Sequence, residues 1–138
     1  MPQVNYLAIL LVAVEAMVIG MLWYGPVFGK IWMKYMGINP HDKKKMEEMK
    51  KSSGPAMAAS IVGSLVTGYV LAALINSLAV TTLAHGLLTG FLVWLGFCAP
   101  VIGTQVLYGG KPKALWIIDS GYYLVYWLLA AVTLTLWV

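Results

Sequence analysis

Glu15 is the residue most suited to a chemical role, because it is an acid in the middle of the apolar run from Val4 to Tyr24. A charged side chain at the centre of a membrane span costs about 2.5–3.5 kcal/mol on insertion scales, so it must face protein or a hydrated cavity. Such a carboxyl acts either in a proton or cation relay, or as a neutral acid that locks helices together by hydrogen bonds. We expect the neutral lock, because no lysine lies at the same depth.

Four polar residues lie at a depth comparable to that of Glu15 when about 1.5 Å per residue is counted from the ends of the spans. They are Thr67 and Tyr69 in the second span, and Tyr123 and Tyr126 in the fourth. We expect the hydrogen-bond partners of the Glu15 carboxyl to be among them.

Three further polar residues lie closer to the predicted membrane surfaces. Asp119 is five residues into the fourth span, and Gln105 in the third span shares its depth, so we expect Asp119 to hold these two spans together. His85 begins the third span on the outer side, where we expect a polar anchor at the interface. A metal site needs more ligands than one histidine, and we expect neither a metal nor another cofactor.

Small residues recur at helical spacing in two spans. Ser60, Ser64 and Gly68 lie four apart in the second span, and Gly86 and Gly90 lie four apart in the third. Inside lipid, helix association depends on close contact and hydrogen bonds, so these faces predict tight helix packing. The partner is either another span of the same chain or a second copy.

The amino-acid composition indicates that these residues lie in a membrane protein. Of the 138 residues, 61% are hydrophobic and 10% are charged, against averages of about 45–50% and about 25% in soluble domains. This excludes a water-soluble globule and a disordered chain. With one cysteine and no arginine, the chain is also neither a disulfide-stapled module nor a typical nucleic-acid binder.

The positioning elements are four apolar stretches, each long enough to span a bilayer. They cover residues 4–24, 55–76, 83–108 and 114–137. The short links after the second and third stretches make neighbouring spans antiparallel. We therefore predict an all-α fold, a four-span antiparallel transmembrane helix bundle, with residues 1–138 as a single integral membrane domain. The first stretch carries Glu15 and lacks a basic leader, so we expect a retained span and not a signal peptide.

The lysines predict the orientation, since positively charged loops stay in the cytoplasm. Seven of the nine lysines lie between the first two spans and two lie between the last two. We therefore expect a cytoplasmic loop over residues 25–54, both termini outside, and the cytoplasmic (inner) membrane as the location. One-sided positive charge favours anionic lipid headgroups.

The loop over residues 25–54 contains two predicted helices. Residues 27–36 are amphipathic, which predicts a helix lying flat in the cytoplasmic interface. Asn39-Pro40 then predicts the start of a short charged helix to about Lys51, closed by Ser53-Gly54-Pro55. Four aromatic residues anchor this boundary, as expected at a membrane interface. They are Trp23, Tyr24, Trp32 and Tyr35.

Several segments resemble a known family. They are GMLWYGPVFGKIWM at residues 20–33, VWLGF at 93–97 and LYGGKPKALWIIDSGYYL at 107–124. Together they resemble a family of small prokaryotic membrane proteins known as domain of unknown function number seventeen sixty-one. The resemblance covers almost the whole chain and implies a four-span bundle. It implies no activity, substrate or site residues.

Two functions remain open. No nucleophile, base and orienting acid converge in the sequence, so we expect no enzyme. The first hypothesis is a non-enzymatic structural or interaction protein, partnered by the lipid bilayer and by a second copy or other subunits of a membrane complex. The alternative is a small oligomeric proton- or cation-coupled transporter or channel that uses Glu15, next to a kink at Pro100 in the third span.

Overall fold

A computed structural model describes residues 2–137, and within that range the secondary structure is entirely helical. The α-helices are α1 (Tyr6–Leu22), α2 (Gly29–Met36), α3 (Lys43–Ser77), α4 (Leu83–Val93), α5 (Ala99–Tyr108) and α6 (Lys113–Leu136). A wider, π-helical turn over Trp23–Val27 follows α1, and a second one over Trp94–Cys98 joins α4 to α5.

Within residues 2–137, four helical segments are long and apolar enough to cross a membrane, as the sequence predicts. They are Tyr6–Val27, Lys43–Ser77, Leu83–Tyr108 and Lys113–Leu136. Many of their large apolar side chains are exposed, among them Leu10, Val62, Leu92 and Ile117. An apolar surface of this kind suits hydrocarbon as the surrounding solvent.

The start of α3 differs from the prediction. Asp42, and not Asn39, caps this helix, since the Asp42 side chain accepts a 3.2 Å hydrogen bond from the Lys45 backbone N–H. The Asn39 side chain instead accepts a 2.9 Å bond from the His41 N–H. Asparagine and aspartate both favour such local bonds, and the turn at Asn39 delays the helix by one turn.

The predicted break at Ser53-Gly54-Pro55 is wrong. The charged helix and the second span form one continuous helix of 35 residues, with Pro55 inside it. A proline is compatible with helical φ and removes one intrahelical bond, to the carbonyl four residues earlier. That residue, Lys51, is exposed near the start of the helix, where water can satisfy its carbonyl.

Both π-helical turns lie next to prolines. Pro26 is inside the first turn, and Pro100 follows the second by two residues. The proline ring clashes with the carbonyl four residues earlier, which for Pro100 is that of Gly96 in the middle of the second turn. Widening the helix there relieves the clash. The irregularity in the third span therefore ends at Cys98, two residues before the kink that the sequence predicts at Pro100.

α6 is the central helix, in contact with α1, α2, α3, α4 and α5, and α3 also packs against α1. A core cluster of buried apolar side chains joins the first half of α1 to the last parts of α3 and α6. Its members include Ala8, Val12, Leu71, Ile75, Ala130 and Leu134.

The two ends of the molecule are therefore different. At one end, which we call the closed end, α1 begins beside the end of α3. There the Asn76 side chain donates a 2.8 Å hydrogen bond to the Gln3 carbonyl. At the opposite end, which we call the lysine end, α1 ends and α3 and α6 begin. There Lys111 Nζ lies 3.4 Å from the Met36 carbonyl oxygen at the end of α2. The core lies towards the closed end.

Candidate functional site

An open groove lies between α1, α3 and α6 towards the lysine end, with a volume of about 710 Å³. Where the closed end has a packed core, the lysine end has this groove. The wall on α3 includes Ser53, Ala56, Ser60, Gly63, Ser64 and Thr67. The wall on α6 and the first π-helical turn includes Tyr24, Tyr122, Tyr123 and Tyr126.

The α3 wall belongs to the small-residue face that the sequence predicts for helix packing. Towards the closed end this face is used, since Gly68 and Ala72 are buried and a methyl group added at Gly68 would lie 3.3 Å from the Ile9 side chain on α1. Towards the lysine end the small-residue face is not packed against another helix, since Ser60 is exposed and a methyl group added at Gly63 would meet nothing within 4 Å. Half of the face therefore lacks a helix from this chain.

The serine hydroxyls of this wall are engaged with their own helix. Ser60 Oγ donates to the Ala56 carbonyl at 2.9 Å, and Ser64 Oγ donates to the Ser60 carbonyl at 2.7 Å. Serine in a helix commonly makes this bond to the carbonyl four residues earlier. The wall therefore presents a smooth surface of small side chains.

The tyrosine wall is also internally bonded. The Tyr122 hydroxyl donates to the Ala16 carbonyl at 2.9 Å, and the Tyr126 hydroxyl and Thr67 Oγ1 are 2.9 Å apart. The rings of Tyr122 and Tyr126 are nearly parallel, with an interplanar angle of 10° and centroids 6.3 Å apart. These bonds orient the aromatic rings and leave the groove with mainly apolar surface.

Tyr24 connects the groove to Asp119. Its hydroxyl donates a 2.7 Å hydrogen bond to Asp119 Oδ1 on α6. Its neighbour Trp23 donates from Nε1 to the Ile118 carbonyl at 2.9 Å. Two adjacent aromatic residues therefore attach the end of the first span to the beginning of α6.

The clasp predicted between the third and fourth spans takes a different form. The Asp119 carboxylate bonds to Tyr24, and Gln105 is exposed. Three tryptophan N–H groups join α6 to the second π-helical turn and the residue after it. They are Trp94 to the Ser120 carbonyl, Trp116 to the Ala99 carbonyl and Trp127 to Cys98 Sγ.

Glu15 bonds to a residue outside the predicted set. Thr133 Oγ1 donates to Glu15 Oε1 at 2.6 Å, across the contact between α1 and α6. Of the four expected partners, Thr67 and Tyr126 bond to each other. The second carboxyl oxygen, Oε2, is buried without a hydrogen-bond partner among residues 2–137. Glu15 is not part of the groove lining.

The remaining predicted residues lie away from the groove or at its rim. Tyr69 is partly buried against the core cluster, and Tyr123 in the groove wall is 38% exposed. His85 is exposed, and its backbone N–H donates to Thr82 Oγ1 at 3.2 Å, so it belongs to the first turn of α4.

Gly86 and Gly90 lie against α6, where Gly90 leaves no room for a methyl group beside the Trp127 carbonyl. At the lysine end, the rings of Tyr24 and Trp32 meet edge to face with centroids 5.9 Å apart, and Tyr35 lies one turn further along α2. Within residues 2–137, no three His, Cys, Asp or Glu side chains are grouped so that they could hold a metal ion.

Sequence reasoning missed the groove and Thr133. Thr133 carries a signal, because it is polar, lies inside a span and is three residues from the buried Ala130 on α6. The groove leaves no comparable signal, since the small-residue face of α3 has the same spacing where it is packed and where it is open.

Comparison with known proteins extends the sequence resemblance. No curated protein and no solved structure matches the chain. A family model described as "Protein of unknown function (DUF1761)" matches residues 7–135. The match includes every residue of the groove and all four candidate spans except the first residue of the first span and the last residue of the fourth. The chain therefore belongs to this family of proteins of unknown function.

Proposed function

We propose that the protein is a non-enzymatic interaction protein of the cytoplasmic membrane, and that its groove receives an apolar partner within the bilayer. One observation carries the proposal. The small-residue face of α3 is packed on α1 at the closed end and lines an open groove at the lysine end. The groove volume of about 710 Å³ lies within the range of roughly 300–1,000 Å³ of sites that bind single small molecules, so the groove is a place for another molecule.

The proposal includes a topology of four antiparallel spans with both termini outside. It is supported by the contact of the beginning of α1 with the end of α3 at one end, and by the contact of Lys111 with Met36 at the other. The lysine end then faces the cytoplasm, in line with the excess of lysine in cytoplasmic loops. The edge-to-face contact of Trp32 with Tyr24 supports a position of α2 along the cytoplasmic interface.

The bonding of the groove walls indicates an apolar partner. Ser60, Ser64 and Tyr122 all donate their hydroxyl protons to backbone carbonyls of this chain. A partner that offered polar groups to these walls would have to break such bonds or leave its own groups without partners. A partner that offers methylene groups or small side chains gains contact at no such cost.

Three kinds of partner satisfy this requirement: a helix of a second copy, a helix of another subunit in a membrane complex, and a lipid. A native mass measurement on protein released from its own membrane in mild detergent tests the proposal. We expect wild-type protein to carry a bound partner that Ser60→Trp, which fills the groove, loses.

Val62→Trp is the matched control. Val62 lies on the opposite face of α3 and is 61% exposed, so the same ring is added where it meets the surroundings. We expect Val62→Trp to keep the partner. Equal bound mass on the wild type and both variants would contradict the proposal, because the groove would then receive nothing.

The alternative is an oligomeric proton- or cation-coupled transporter that uses Glu15. It is favoured by the buried Oε2 atom without a partner, since intramembrane acids are frequent in proton pathways. It is disfavoured by the absence of Glu15 from the groove lining. Proton flux into liposomes that falls to background with Glu15→Gln would establish it in place of the interaction protein.

A further inference from the structure

We propose that the occupant of the groove is one anionic lipid, with an acyl chain along the α3 wall and its headgroup beside Lys50 at the lysine end. This inference rests on the proposed function, since it names the partner that the groove receives. Three observations carry it: the volume of the groove, the side from which it is open, and the charge at its mouth.

The volume of the groove suits a single acyl chain. The groove holds about 710 Å³, which lies within the range of roughly 300–1,000 Å³ of sites that bind single small molecules.

The groove is open towards the bilayer. Every residue from 51 to 63 on α3 is exposed, so a lipid chain can enter sideways from the surrounding membrane. The small side chains of Ala56 and Gly63 let the chain approach the α3 backbone closely. Tyr122 and Tyr123 lie on the other side of the groove, whereas Tyr126 is only 3% exposed and offers little surface to a ligand.

The positive charge at the mouth of the groove, its lysine end, favours an anionic headgroup. Residues three apart on a helix share a face, so Lys50 continues the groove face of α3 beyond Ser53, which marks the end of the lining. Met46 and Met49 lie on the same side and are partly buried. Glu47 is three residues before Lys50 and therefore lies on the same side of the helix as this lysine, whereas Glu48 lies away from the groove face. The stretch from Lys43 to Lys51 holds five lysines and two glutamates, so the charge at this end of the groove stays positive.

The acid of α6 near the lysine end is already bonded. Asp119 accepts the Tyr24 hydroxyl and does not line the groove. A flexible lysine stem can place its ammonium group at headgroup level while its methylene groups stay with the apolar chain. Lysines beside a membrane surface attract anionic lipids, and Lys50 is positioned to make this attraction act on one bound lipid.

The test uses full-length protein freed of lipid in mild detergent, and native mass spectrometry counts the lipids that rebind. The probes are phosphatidylglycerol, which is anionic, and phosphatidylcholine with the same acyl chains. We expect wild-type protein to bind one phosphatidylglycerol about fivefold more tightly than phosphatidylcholine, a ratio typical of one lysine at a membrane surface. We expect added salt to reduce the ratio.

Two pairs of variants separate the headgroup from the chain. We expect Lys50→Gln to abolish the preference for phosphatidylglycerol, so that both lipids bind as tightly as phosphatidylcholine binds to the wild type. Lys44→Gln, on the opposite face of α3, should retain the preference. Ser60→Trp loses both lipids, whereas Val62→Trp keeps both. All four side chains are exposed, so unfolding temperatures close to that of the wild type are expected and show that the variants fold.

The contrary outcomes are distinct. Equal binding of both lipids to wild-type protein, with loss of both in Ser60→Trp, overturns the anionic headgroup and leaves the proposed function intact. A lipid-free dimer that Ser60→Trp dissociates names a second copy as the occupant and overturns the inference alone. Binding of phosphatidylglycerol to Ser60→Trp at the level of Val62→Trp overturns this inference. Unchanged bound mass in the membrane-derived Ser60→Trp protein overturns the proposed function itself.

Discussion

The Tyr24 hydroxyl and the Asp119 carboxylate form a 2.7 Å hydrogen bond between residues that are 95 positions apart in the chain. The bond joins the first π-helical turn to the beginning of α6, and Trp23 adds a second bond to the same stretch of α6 through the Ile118 carbonyl. Because Tyr24 also lines the groove, this attachment fixes one wall of the candidate site.

We expect Tyr24→Phe to lower the free energy of unfolding by about 1–3 kcal/mol, the cost of leaving a partly buried acceptor without its donor. Asp119→Asn keeps an oxygen that can accept the same bond, so its loss should be smaller. Reversible unfolding in detergent micelles measures both. Tyr108→Phe is the control, because Tyr108 is 91% exposed. Equal stability of Tyr24→Phe and Tyr108→Phe would show that the bond contributes nothing.

The second prediction concerns the bond between Thr133 and Glu15. Interhelical hydrogen bonds in a membrane protein have coupling energies of about 0.6 kcal/mol on average and about 1.7 at most. We expect a double-mutant cycle of Glu15→Leu and Thr133→Val to give a coupling in this range. Glu15→Gln, which retains an oxygen acceptor, should be close to the wild type. A coupling near zero would mean that the two side chains do not interact in the membrane.

The spans could be predicted from the sequence because their length and apolar composition are imposed by the thickness of a bilayer. The continuity of α3 through Gly54-Pro55 could not, because local residue preferences favour a break there and say nothing of the long helix on either side. The same limit applies to the start of α3, where Asn39 and Asp42 are both good caps.

The partner of Glu15 could not be predicted by counting residues along each span. Side chains on a helix point back towards its N-terminus, so the Glu15 carboxyl reaches towards the closed end, where α6 finishes and Thr133 lies. The groove could not be predicted from the sequence for a related reason. It depends on where α3 leaves α1, and the spacing of Ser60, Ser64 and Gly68 is the same on both sides of that point.

The third prediction tests the proposed topology by cysteine labelling in a Cys98→Ala background. We expect a reagent that cannot cross the bilayer to label Lys44→Cys and Lys113→Cys from the same side, because positively charged loops remain cytoplasmic. Ser77→Cys, at the last residue of the second span, should be labelled from the opposite side. Labelling of Lys44→Cys and Lys113→Cys from different sides would rule out the four-span arrangement.

The last prediction concerns the contact of α4 with α6. A methyl group added at Gly90 would lie 2.7 Å from the Trp127 carbonyl oxygen and 2.9 Å from the Ala131 methyl carbon. The first of these atoms belongs to the backbone, so α4 would have to move away from α6. We expect Gly90→Ala to lower the free energy of unfolding by about 1–3 kcal/mol, as overpacking does.

Gly63→Ala is the matched control for this change, because a methyl group there meets nothing within 4 Å and Gly63 also lies inside a helix. Alanine is the better helix former by about 1 kcal/mol, so Gly63→Ala should be as stable as the wild type or more so. The two variants make the same chemical change to two glycines in apolar helices, and they differ only in whether another helix is close. If Gly90→Ala were as stable as Gly63→Ala, α4 would not approach α6 at this position, and small residues in this chain would not report tight packing.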